Sequence, residues 1–90
     1  MLEIKWNDID PTTGSRRYIS AERFARVWRF KFKLQRRGDW TNGLQPTREM
    51  WEHVLDALKR RMQRNEGVEE IDVAQVVKIL AEYRDPPSLE

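Results

Sequence analysis

A chain of 90 residues with 39% hydrophobic content, four tryptophans and a formal net charge of +2 is long enough for one core and too apolar for whole-chain disorder. It contains no cysteine, which excludes disulfides, thiolate metal sites, iron–sulfur clusters and cysteine nucleophiles, and fits a reducing, cytoplasmic setting. No apolar run approaches the roughly 20 residues of a membrane span, and MLEIKWND lacks the charged-then-apolar order of a signal peptide.

The first elements flank the stretch DPTTG, residues 10–14. Asp8, Asp10 and Thr12 share the odd spacing that opens a calcium loop, but the required glycine falls one place late at Gly14. Pro11 stiffens the curl, and the closing acid position is Ile19, so no metal is expected. A turn accounts for every residue: Asp10 bonds amides ahead of it, Pro11 presets φ, and Gly14 takes φ > 0. If Asp10 faces Ser15, antiparallel pairing puts Asp8 opposite Arg17, Asn7 opposite Tyr18 and Trp6 opposite Ile19. Ile4, Trp6 and Ile19 then share a core face, while Lys5, Asn7 and Tyr18 share the other.

Beyond the hairpin, Ser20 is placed to cap a helix over AERFARVWRFKFKLQRR that stops at Gly38. Phe24, Val27, Trp28 and Leu34 then make an apolar arc, with Arg26, Arg29, Lys33 and Arg36 on a stripe opposite. Phe30, Phe32 and Leu34 also alternate as a strand does, so 29–36 carries both patterns; the narrow basic stripe favours helix. GDWTNGLQP, residues 38–46, reads as a loop.

Thr47 caps a second helix in which Met50, Trp51, Val54, Leu55, Leu58 and Met62 recur at three- and four-residue steps, with acids in its first turns and bases in its last. Gly67 is expected to end it. Asp72 caps a third helix, with Ile71 and Val76 as a hydrophobic staple and Val73, Val76, Val77 and Leu80 facing inward. The expected fold is thus one α+β domain over residues 1–85, an N-terminal β-hairpin packed on three helices. A loose tail at 86–90 would follow, its Leu89-Glu90 end resembling a cloning remnant.

Charge is unevenly spread: from Arg16 to Arg37 nine Lys and Arg face the single acid Glu22, and acids gather towards the C-terminus. His53, the one histidine, sits beside the apolar face of the second helix with no evident partner, and no phosphate loop or catalytic carboxylate pair is recognisable. The reading is a non-catalytic protein-interaction or accessory module without cofactor, metal or small-molecule ligand. Its proposed contact residues are Arg26, Arg29, Lys33, Arg36 and Trp40, and its partner is a protein or a second copy. The alternative is a nucleic-acid-binding domain whose basic stripe contacts phosphates. It is less favoured because the link between the second and third helices is too long for a helix-turn-helix, and because the acidic C-terminal third can neutralise the stripe.

Overall fold

The hairpin forms in the expected register. β1 (Leu2–Ile9) and β2 (Arg16–Phe24) are antiparallel, with Trp6 opposite Ile19, Asn7 opposite Tyr18 and Asp8 opposite Arg17. The structure, a computed structural model, describes residues 2–84 and divides into two units, Met1–Gln45 and Pro46–Glu90. The tail expected at 86–90, with its Leu89-Glu90 end, lies outside the described residues.

The loop between β1 and β2 is built as its residues require. Asp10 Oδ1 accepts from the Thr12 amide at 2.9 Å, the Gly14 amide donates to the Asp10 carbonyl at 2.8 Å, and Gly14 has φ +72°. That left-handed conformation is strained for any residue with a Cβ.

The expected helix from Ser20 to Gly38 does not form. Its sequence instead completes β2, turns at Ala25-Arg26 and returns as β3 (Val27–Lys33), with Phe24 opposite Val27 and Ala21 opposite Phe30. The turn has two central residues, both with positive φ, +51° at Ala25 and +64° at Arg26, the hairpin geometry that matches strand twist. Neither Gly nor Asn marks it, which is why the sequence reads through. A short β4 (Thr41–Asn42) adds to β3 within the expected loop, giving a four-stranded antiparallel sheet in the order β1-β2-β3-β4.

Pairing beats helical periodicity here because it gives the core-forming residues of three strands one common face. Ile4 on β1, Ile19 and Ala21 on β2 and Phe30 on β3 are all buried, and Trp6 meets Phe30 edge-on with centroids 6.4 Å apart. The arc expected of Phe24, Val27, Trp28 and Leu34 is dispersed: Phe24, Val27 and Leu34 are exposed.

In the second unit, α1 (Arg48–Gln63) is capped as expected, Thr47 Oγ1 accepting from the Met50 amide at 3.2 Å. Met50, Trp51, Val54 and Leu58 are buried. The helix ends before Gly67, because Asn65 takes the left-handed conformation (φ +56°), its amide donating to Met62 O and that of Glu66 to Arg61 O. Those two bonds satisfy carbonyls the last turn leaves open.

α2 (Glu70–Glu82) starts earlier than expected, with Glu69 rather than Asp72 as cap. Asp72 serves from inside the first turn, its Oδ2 accepting from the Glu69 amide at 2.9 Å. Ile71 therefore lies within the helix, 55% exposed, and forms no staple; Val68 is the buried residue before the cap, and Val77 is also exposed. α1 and α2 pack on each other. Their open end is clasped by Arg48, which lies 5.2 Å from the Tyr83 ring and donates to the Tyr83 carbonyl, while the Tyr83 hydroxyl donates to Pro46 O. The α+β class stands, but the described residues form four strands and two helices rather than a hairpin and three helices. No described helix is long and apolar enough to cross a membrane.

Candidate functional site

Strand alternation gives the sheet a second face of different chemistry. β1 contributes Glu3, Lys5 and Asn7 to it, β2 contributes Tyr18, Ser20 and Glu22, and β3 contributes Arg29, Lys31 and Lys33; the register sets these residues side by side. Glu3 and Glu22 are direct cross-strand partners, a like-charge pair that requires compensation. Lys31 stands 2.5 Å from Glu22 and Lys5 3.5 Å from Glu3, while the buried Ser20 hydroxyl donates to Glu3 Oε2 at 3.1 Å. Hydrogen bonding from Lys31 holds the Glu22 carboxyl below its ordinary pKa.

The segment after β3 folds over this face. Lys33 Nζ donates to the Arg36 carbonyl at 2.8 Å, which ties the connection to the strand end. Trp40 lies beside the lysines, its ring centroid 4.9 Å from Lys31 Nζ and 4.6 Å from Lys33 Nζ. An ammonium at that distance is attracted to the ring quadrupole, by about 0.5–1 kcal/mol at exposed sites. A concavity of about 320 Å³ opens here, lined by Lys5, Asn7, Tyr18, Lys33, Arg36 and Trp40 together with Trp6 and Ile19.

Three of the five residues singled out from the sequence thus come together: Lys33, Arg36 and Trp40. Arg29 shares their face farther along β3, and Arg26 sits in the β2–β3 turn. The arrangement is a strand face with its flanking loop, not a helical stripe. Lys5, Asn7, Tyr18 and Lys31 were missed as site residues, although the hairpin register alone places the first three on the face away from the core.

Elsewhere several acidic groups have structural partners. Asp8 accepts twice from Arg17, and Asp10 bonds its own turn. On α1, Asp56 pairs with Arg60 one turn away. Partial desolvation and then the positive charge of Arg60 lower the pKa of His53. Among the described residues no cluster of three His, Asp or Glu side chains could hold a metal ion. The polar sheet face sets half-buried aromatic rings beside cations, chemistry suited to recognising an anion that also carries a flat or apolar part.

Comparison with protein-family models, with curated proteins and with solved structures finds no match, so the functional reading rests on this geometry.

Proposed function

We propose that this chain is a small non-catalytic binding module whose working surface is the polar face of its sheet and whose partner is anionic. The observation that carries the reading is the meeting of Tyr18 and Trp40 with Lys5, Lys33 and Arg36 around one concavity. Cations alone describe an ordinary solvated surface. Aromatic rings held beside them give the contact area and low entropy cost that binding surfaces use. Acid–base chemistry would need a positioned partner group within reach of a reacting atom; in this concavity the ionisable groups are Lys5, Tyr18, Lys33 and Arg36. The absence of cysteine supports a cytoplasmic setting for the module.

The test is to titrate isotope-labelled protein with two anionic probes, poly-L-glutamate and a thymidine oligonucleotide, and to follow amide shifts. Saturable shifts at Lys5, Asn7, Tyr18, Lys33 and Trp40 with either probe support the reading. Shifts centred on α2, around exposed Ile71 and Val77, or no saturable shift with either probe, would refute it.

A further inference from the structure

Building on the reading of the polar face as a binding surface, we infer that its ligand is single-stranded nucleic acid, with bases stacked at Trp40 and Tyr18 and phosphates running along the β3 cations. An aromatic π-face is electronegative, so it favours cations and flat rings and gives a carboxylate nothing. An acidic peptide would use the lysines and find the two rings indifferent or repulsive. A nucleotide uses both, because its phosphate takes the cation and its base takes the ring.

Spacing points the same way. Arg29, Lys31 and Lys33 occupy one face of β3 at two-residue intervals, hence about 6.7 Å apart, a repeat that an extended nucleotide backbone can follow. Towards the other end of the same face Phe24 is 75% exposed beside Val27, which is 54% exposed. Phe24 lies six residues from Tyr18, about 20 Å along the strand. The face therefore offers a ring near each end and a row of cations between, enough for roughly four nucleotides, the lower end of the site sizes known for sheet-based single-strand binders. A duplex keeps its bases stacked and paired, so it could use the cations and not the rings.

Glu3 and Glu22 give the inference a second handle. They sit on this face against Lys5 and Lys31, where each carboxylate competes with an incoming phosphate for its lysine. Removing one should strengthen binding, an effect that damage to the fold would not mimic.

The experiment is tryptophan fluorescence titration of the full chain with a twelve-residue thymidine oligonucleotide, run beside a duplex of equal length and poly-L-glutamate. The expected result is saturable quenching by the single strand, weakening about 20-fold between about 50 and 200 mM salt if three phosphates are contacted. Trp40→Ala should weaken binding about tenfold or more and Lys33→Glu at least as much, whereas Glu22→Gln should tighten it. Circular dichroism verifies that each variant is folded. Peptide binding without oligonucleotide binding would overturn this inference and leave the binding-module reading intact. Equal affinity for duplex and single strand would also overturn it, and absence of binding to every probe would overturn both.

Discussion

Arg17 donates twice to Asp8 across the β1–β2 pair, Nε to Oδ1 at 2.9 Å and a terminal nitrogen to Oδ2 at 2.8 Å. Arg17 is 8% exposed and its guanidinium lies 6.0 Å from the Phe32 ring, while the Asp8 side chain keeps 29% of its surface in water. The hydrogen bonds it donates to Asp8 raise the already high pKa of Arg17, so the cation persists across the working pH range. A bidentate pair fixes register as well as energy, since a one-residue slip would send Arg17 to the polar face and Tyr18 to the apolar one.

Removing either partner should therefore be costly and unequal. Arg17→Met leaves a half-solvated carboxylate and should destabilise by about 2 kcal/mol; Asp8→Ala leaves a guanidinium buried without its carboxylate and should cost about 3 kcal/mol. The double variant should lose clearly less than the sum, as measured by urea melts in a double-mutant cycle. Additive losses would mean that the pair does not couple.

The turn at Ala25-Arg26 offers a test whose sign separates two architectures. Both residues hold positive φ, at a cost of about 1 kcal/mol each relative to Gly or Asn. Replacing them with Asn and Gly should stabilise the hairpin by about 1 kcal/mol. Were this segment helical, the same change would destabilise by at least about 1 kcal/mol. The shift in the urea midpoint decides between them.

That turn also explains where the sequence was opaque. Asp10, Pro11 and Gly14 announce the first loop by chemistry specific to turns, so register and both faces of the hairpin were readable in advance. Thr47 and the spacing of Met50, Trp51, Val54 and Leu58 likewise declared α1. Ala25 and Arg26 have no turn chemistry of their own; pairing of Trp28, Phe30 and Phe32 with β2 imposes their conformation. Reading through them gives a basic helix that does not form; Lys33, Arg36 and Trp40 nonetheless lie together in the structure, because charge and aromatic content belong to residues whatever element carries them. The hairpin register places Tyr18 and Lys5 on the outward face, but their meeting with Lys31 and Lys33 depends on the second strand pair, which no turn residue announces.

Stability should fall as the solution is acidified through two groups whose pKa values are lowered in the fold. For His53 the cause is burial first and then the charge of Arg60, against an ordinary value of 6.5. The unfolded chain takes up this proton before the native one does, so stability is full above about pH 6.5 and declines below it. Glu22, depressed by its hydrogen bond with Lys31 from an ordinary 4.5, adds a second decline that starts near pH 4.5 with the same sign. Thermal melts from pH 8 to 3 should show the first step vanish in His53→Gln and the second shrink in Glu22→Gln. A His53→Gln protein with an unchanged profile would remove histidine from the account.

Burial ranks the last set of substitutions. Leu58 is fully buried on α1, whereas Leu55, three residues earlier, is only half-buried. Truncating a buried leucine removes transfer free energy and leaves a cavity, so Leu58→Ala should cost about 3 kcal/mol and Leu55→Ala nearer 1.5 kcal/mol. Trp51, 7% exposed, should match Leu58 when changed to alanine. On α2 the contrast is sharper: Val76 is fully buried and Val77 is 47% exposed, so Val76→Ala should cost about 2 kcal/mol and Val77→Ala less than about 0.5 kcal/mol. Urea melts at neutral pH measure all five. If Val77→Ala proved the more damaging of the valine pair, the helix would be rotated by about one residue, and the cap at Glu69 that sets its phase would have to move with it.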